Sequence, residues 1–309
     1  MTFLQATLRS ATTFSGIGLH SGRPVRMVVQ PAPANYGIWF RRLDITDRDP
    51  LIAARYDAVP ESRLCTQIEN ADGVGVSTIE HIMAALAGIG VHNALIELDG
   101  PEVPILDGSS AQFVRAMIAK GIQRQGTPIY AIEVLEKVEV SDGYATASLS
   151  PAEGLTMRFS IDFEDDAIGT QTRFTDLANG RFVRELCDSR TFCRQSDVEA
   201  MQKAGLALGG SYENAVVVDG ETVLSPGGFR HDDEAVRHKM LDALGDLSLA
   251  GAPIIGHYEG MRAGHMLSNQ LLRALFNTPG AFRMVECSPE MAARLPGMGV
   301  NHADLAHVA

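Results

Sequence analysis

Two stretches of this chain follow the same plan, and that repetition narrows the folds open to it. From Val25 to Arg41 the sequence alternates and ends in the strand-like IWFRR, with a PAPANYG turn between two extended runs. From Ala131 to Phe163 it does the same: IEVLEKVEV, the turn signal SDG, ATASL, a PAEG turn and LTMRFSIDF. Each set of strands is followed by two helical stretches. Setting STIEHIMAALAGIGVHNALIEL against EAVRHKMLDALGDLSLAGAPIIGH puts His81 on His238, 157 residues on, and QFVRAMI falls on QLLRALF at 158. Identities are few, but histidine stands at matched positions inside matched helices. The expectation is an α+β fold of two similar domains arising from an internal duplication. Each is a β-sheet packed against two helices, and the helices of the two domains face each other. Residues Gln125 to Pro128 have the Gly/Pro composition of a boundary, which divides the chain into 1–126 and 127–309.

Other totals agree with this division. At 309 residues the chain is long for a single core and suits two domains of ordinary size. Its 45% hydrophobic and 21% charged residues are those of an ordinary globular protein. A net charge of −12, with no Lys/Arg block or basic aromatic stripe, excludes a nucleic-acid partner. The opening MTFLQATLRSATTF has no apolar run of signal-peptide type. The longest apolar stretch, Ile82 to Val91, falls far short of the ~20 residues that span a bilayer. Cys65, Cys187, Cys193 and Cys287 show no CxxC spacing, so reduced thiols in a cytoplasmic protein are expected.

The second half carries an insertion around 193–213, SDVEAMQKAGLALGG within it. Ser196 followed by Glu199 reads as a capping box, and Gly209 and Gly210 as the stop. Val198, Met201, Leu206 and Ala207 then form an apolar surface the core does not need.

In the helix expected from about Glu234 to Leu249, Val236, Met240, Ala243, Leu244 and Leu247 make one apolar stripe at 100° per residue. His238, Asp242 and Asp246 line the opposite side at i, i+4, i+8, with Lys239 beside them, so His238 and Asp242 can approach one ion together. The helix from Thr78 repeats the layout: Ile79, Ile82, Met83 and Leu86 face the core and His81 points away. If the outer faces meet, His81, His238 and Asp242 converge. Two histidines and a carboxylate are a catalytic-type zinc set that leaves a position for water. Blander explanations stand beside this one. A histidine on the polar side of a helix is usually just solvated, HxxxD recurs by accident, and Asp246 could simply solvate its face. Ser77 to Glu80 is itself a capping-box pattern, with Glu80 at the position that reaches back to the cap.

STIEHIMAALAGIGVHNALIELDGPEVPILDGSS, SRTF, GLALGGSYENAVVVD, VRHKMLDALGD and GAPIIGHYEGMRAGH together resemble the UDP-3-O-acyl-N-acetylglucosamine deacetylase family, and the likeness runs from GIGLHSG at Gly16 through Asn269. The resemblance implies a duplicated α+β fold, one zinc ion per chain, and hydrolysis of a 2-acetamido group on a UDP-sugar carrying a 3-hydroxyacyl chain. That reaction is an early step of lipid A synthesis in Gram-negative bacteria. By the same resemblance, the zinc ligands fall on His81, His238 and Asp242, and Glu80 is the base that takes a proton from water. His265 protonates the leaving amine, Asp246 orients His265, and Thr191 helps hold the oxyanion. Lys239 and Phe192 match substrate contacts, Phe163 the aromatic at the uracil end, and His20 a further residue near the site. Arg262 is expected to share diphosphate binding. The insertion matches an element that forms a hydrophobic passage for the acyl chain, with Val198, Met201 and Ala207 as lining. Gln195 departs from an expected apolar residue, and Ala145 stands where some relatives carry a phosphate-contacting lysine.

The assigned roles fit the chemistry. Amide hydrolysis needs an activated water, an electrophile for the carbonyl oxygen and an acid for a poor leaving group. Zinc lowers the pKa of water and polarises a carbonyl. His265 beside Asp246 should have its pKa raised. Two rivals remain: a sugar-nucleotide-binding protein without the chemistry, and a zinc peptidase, which would need an HExxH that is absent. A monomer is expected.

Overall fold

The computed structural model of the chain describes residues 3–60 and 64–308. Alternation in the sequence becomes alternation in burial. In strand Pro24–Pro31, Val25, Met27 and Val29 are buried; in strand Leu155–Asp162, Leu155, Met157, Phe159 and Ile161 are. These inward rows give each sheet one apolar face to cover.

The first sheet runs in the order Thr12–Ile17, Pro24–Pro31, Ala94–Leu98, Ile38–Arg42, Leu51–Ala53, and only the third and fourth strands are parallel. The second contains Val138–Ser141, Thr146–Ser150, Ile254–Met261, Leu155–Asp162 and Thr170–Asp176 in that order, with the same directions. The correspondence extends to the edges. Strand Leu4–Leu8 lies antiparallel to Ile122–Pro128, and its Thr7 makes a parallel bridge to Asn93. Strand Tyr130–Val134 lies antiparallel to Phe282–Glu286 and parallel to the start of Ile254–Met261. An α+β architecture with the same strand order in each half is therefore what the chain adopts. Residues 125–128 are part of strand Ile122–Pro128, not a free linker.

In each half one helix precedes the central strand and one follows it: α1 (Glu80–Gly88) and α2 (Ala111–Lys120), then, after the insertion helix α3 (Gln195–Lys203), α4 (Glu234–Leu247) and α5 (His265–Asn277). Helices α1 and α4 cross in close contact, and one continuous apolar core runs through both halves beneath them. The crossing depends on Gly245. A Cβ there would lie 2.1 Å from the main-chain oxygen of Glu80, so only glycine lets the two backbones touch.

Three local expectations fail. Helix α1 begins at Glu80 and not Thr78: Thr78 has φ +58 and Ile79 is the cap, so Glu80 is the first helical residue and no capping box forms. Helix α3 is not capped by Ser196, because Arg194 is the extended cap residue and Glu199 accepts instead from Gln195 Nε2 at 3.2 Å. Nor do Gly209 and Gly210 end it. It stops at Lys203, with Gly205 (φ +76) just beyond, so Leu206 and Ala207 lie outside the helix. Gly209 donates its N–H to Leu19 O at 2.9 Å, tying the end of the insertion to the first half.

Candidate active site

The polar faces of α1 and α4 are buried against each other, not solvated. His81, His238, Asp242, Asp246 and Glu80 are each no more than 5% exposed. Burial of five ionisable side chains is costly unless each finds a partner, and their partners define the site.

Ligand atoms of His81, His238 and Asp242 lie within 4.8 Å of one another. His238 Nδ1–H donates to the Ser189 carbonyl at 3.0 Å, which fixes the ring and turns the Nε2 lone pair inward. Asp242 Oδ1 faces that Nε2 at 3.2 Å and His81 Nε2 at 3.6 Å, yet this buried oxygen has no hydrogen-bond partner among the described residues. A buried carboxylate oxygen left unpaired between two imidazole nitrogens is the donor arrangement a divalent cation satisfies. Burial lowers the His238 pKa to about 4, keeping the ring neutral as a ligand must be. Asp242 is held well below the usual carboxylate range: burial alone would raise it, but His238 and Lys239, whose Nζ donates to Oδ2 at 3.3 Å, outweigh that.

Beside these three lies an acid–base pair. His265, first residue of α5, places Nδ1 3.0 and 3.2 Å from the two oxygens of Asp246, so Nδ1–H donates to that carboxylate. Its Nε2 is 3.8 Å from Glu80 Oε1. Burial alone would depress the imidazole, but Asp246, reinforced by Glu80 and Asp242, raises its pKa to about 9. Burial raises Glu80, and His265 and His81 pull it back only in part. At neutral pH the site thus sets a cationic imidazole beside the buried carboxyl group of Glu80.

Thr191 is fixed from both sides, donating its N–H to Gly108 O and accepting from Val216 N, both at 2.8 Å. The adjacent Arg190 makes a buried ion pair with Glu234 at 2.9 Å, which anchors this segment to the start of α4. Thr191, Phe192, Lys239 and His265 line one cleft of about 740 Å³ with His238 and Asp242. Phe163, Arg262 and His20 line it too, so every polar or aromatic residue expected to touch substrate meets here. The rings of Phe163 and Phe192 meet edge to face at 5.4 Å, and Phe192 stands 6.3 Å from the His238 ring. The His20 pKa is pushed down by burial and held up in part by Glu102, and neither ring nitrogen has a hydrogen-bond partner among the described residues. Arg262 (φ +52) pairs with Asp162. Val198 and Met201 from α3 form one apolar wall, continued by Ala207, which is 5% exposed. Gln195 lines the cleft and accepts from Tyr212 Oη at 3.2 Å, whereas Ala145 is buried in the sheet core away from it.

Sequence reasoning missed three contributors. Gly245 had a signal, since an interior helix glycine costs about 1 kcal/mol relative to alanine and needs a reason. Ser189 and Thr66 had none. Thr66, in a loop, donates its hydroxyl to Asp246 Oδ1 at 2.5 Å and its N–H to Glu80 Oε2 at 3.1 Å.

Two nitrogens and one oxygen that could hold a metal ion, with a buried carboxyl group and a charged imidazole beside a cleft, are groups of the kind a hydrolase uses, here set between two α+β halves. The comparisons with known proteins specify which kind. The family model described as "UDP-3-O-acyl N-acetylglycosamine deacetylase" matches residues 5–277. Three relatives named UDP-3-O-acyl-N-acetylglucosamine deacetylase illustrate the likeness. That of Phenylobacterium zucineum is 48% identical over 93% of this chain and 98% of its own. That of Idiomarina loihiensis is 44% identical over 93% and 94%, and that of Myxococcus xanthus 43% over 98% and 95%. The chain belongs to the UDP-3-O-acyl-N-acetylglucosamine deacetylase family. No helix among the described residues is long and apolar enough to cross a membrane.

Proposed function

We propose that this chain is a zinc-dependent amidohydrolase that removes the 2-N-acetyl group of UDP-3-O-(3-hydroxyacyl)-N-acetylglucosamine, releasing acetate in an early step of lipid A synthesis. The observation that carries the reading is a cleft lined by His238, Asp242, His265 and an apolar wall from α3, with His81 completing the donor set and Glu80 and Asp246 flanking His265 just behind that lining.

Zinc held by those three ligands would polarise the acetyl carbonyl and acidify an attacking water. Glu80 accepts that water's proton, and the burial that raises its carboxyl makes it a stronger base. The Thr191 hydroxyl donates to the carbonyl oxygen as negative charge builds there. His265 then delivers the Nε2 proton to the nitrogen as the C–N bond breaks, so the products are acetate and a free amine. Asp246 keeps the imidazole charged and oriented until that transfer. Lys239 and Arg262 bind the diphosphate, Phe163 and Phe192 pack on the uracil end and the sugar, and His20 closes the cleft from the first half. Val198, Met201 and Ala207 receive the acyl chain.

The repeated strand order supports an internal duplication with domains 1–126 and 127–309, the insertion lying around 193–213 of the second. All these groups come from one chain, which supports a monomer as the working unit. Cys187, Cys193 and Cys287 form no disulfide among the described residues, which supports a reducing compartment, the cytoplasm. The test is acetate release from three substrates: UDP-3-O-acyl-N-acetylglucosamine, UDP-N-acetylglucosamine and an N-acetylated peptide. Rapid turnover of the first alone is expected. Equal turnover of the peptide, or binding of the nucleotide sugar without acetate release, would overturn the reading.

A further inference from the structure

We propose that Thr66 is a positioning residue for the acid–base groups, holding the base through its main chain and the acid's partner through its side chain. The inference rests on the roles of Glu80 and His265 given above. Thr66 is 4% exposed and tied at three atoms. Its carbonyl accepts from Ile79 N at 3.2 Å, which pins it over the start of α1. Its N–H donates to Glu80 Oε2 at 3.1 Å, and its hydroxyl donates to Asp246 Oδ1 at 2.5 Å. Glu80 belongs to α1 of the first half and Asp246 to α4 of the second, so one loop residue spans the crossing where acid and base meet.

The hydroxyl has a further consequence. Asp246 Oδ1 receives two donors, Thr66 at 2.5 Å and His265 Nδ1 at 3.2 Å, while Oδ2 receives His265 Nδ1 at 3.0 Å. The shortest of the three comes from Thr66. Without it the carboxylate keeps only the imidazole among the described residues and can turn about its terminal torsion, carrying the ring away from the line between Glu80 and the cleft. A carboxylate short of one donor also grips the imidazolium proton harder, which makes His265 a poorer acid. Thr66 itself does not line the main cleft, so both effects fall mainly on turnover and less on substrate binding.

Thr66→Val keeps volume and removes the donor; Thr66→Ser keeps the donor. With the zinc-loaded protein and the acylated substrate, Thr66→Val should lower kcat about 10- to 100-fold, the loss of one hydrogen bond to a charged group, with KM within about threefold. Zinc content should be unchanged, and Thr66→Ser should recover kcat to within about threefold of the parent. In an Asp246→Asn background the valine should cost no more than about twofold further, because its effect runs through Asp246. The His265 Nδ1–H proton resonance, far downfield in the parent and the serine variant, should move or broaden in the valine variant. Should Thr66→Val melt early or lose zinc, Thr66→Ala takes its place in the same cycle. An undiminished kcat in the valine variant, equal losses for valine and serine, or full additivity with Asp246→Asn would overturn the proposal. Glu80→Gln and His265→Ala run in parallel: if both kept full kcat, the acid–base reading itself would fall. If they lost it while Thr66→Val did not, only the role of Thr66 would.

Discussion

Replacing Gly245 by alanine adds one methyl group where α4 crosses α1, and its consequences can be worked out from the contact. The new Cβ would sit 2.1 Å from Glu80 O and 3.1 Å from Glu80 Cα, so the helices must part by roughly 1 Å to restore ordinary contact. Two effects on stability oppose each other. Alanine in a helix interior is favoured over glycine by about 1 kcal/mol, and overpacking a tight contact costs about 1–3 kcal/mol. The net is a loss of at most about 2 kcal/mol, which lowers Tm by only a few degrees in a chain this long. Activity has no such compensation. Glu80 and His81 ride on α1, and His238, Asp242 and Asp246 on α4, so parting the helices separates His81 from His238 and Asp242, and Glu80 from Asp246. Misplacement by about 1 Å can cost about 10²-fold in rate. The expected result for Gly245→Ala is therefore a kcat lowered about 10- to 100-fold with a Tm within several degrees of the parent. Stopped assays of acetate release and a thermal melt on the same preparation read both. A kcat within about twofold of the parent would refute the claim that this contact sets the site's geometry.

The pH profile of kcat/KM should be bell-shaped. Glu80 must be ionised, so activity falls as pH drops through its burial-raised pKa; His265 must be protonated, so activity falls as pH rises through about 9. Asp246→Asn removes the largest influence raising His265, and the basic limb should move down by about two units; a limb left in place would assign it to another group. Ala207→Phe should fill part of the acyl passage, at about 0.8 kcal/mol per methylene displaced, raising KM for a long-chain substrate more than tenfold. It should leave turnover of a substrate lacking the acyl chain unchanged, and equal losses on both would show that residue 207 serves the fold and not the passage.

How far the sequence could be read follows from where each signal lives. Strand alternation and helical period are local, so the two sheets and α1, α2, α4 and α5 were legible, as was the pairing of His81 with His238 in matched helices. His238 and Asp242 share a helix face by spacing alone. His265, Thr191 and Phe163 come from separate segments that only the tertiary fold brings together, and no spacing pointed to them; the family resemblance did. Local rules also misled. Ser77 to Glu80 and Ser196 to Glu199 both match a capping pattern, yet Thr78 takes a left-handed conformation, and Arg194 caps α3 with no side-chain bond. In the first case the glutamate's partners lie elsewhere, at Thr66 and His265. The period of α1 and α4 left their polar faces open to two readings, solvated or meeting each other, because a single helix cannot reveal what its polar side packs against.

Zinc content and acetate release, measured on one preparation of the parent chain and of His238→Ala, test the central claim most directly. The parent should carry about one zinc per chain, lose acetate release on chelation, and regain it when zinc is returned. His238→Ala should lose most of both together, since a three-ligand site cannot hold the ion with one ligand gone. A parent that releases acetate at full rate without metal, or a His238→Ala variant that keeps full zinc occupancy, would contradict it.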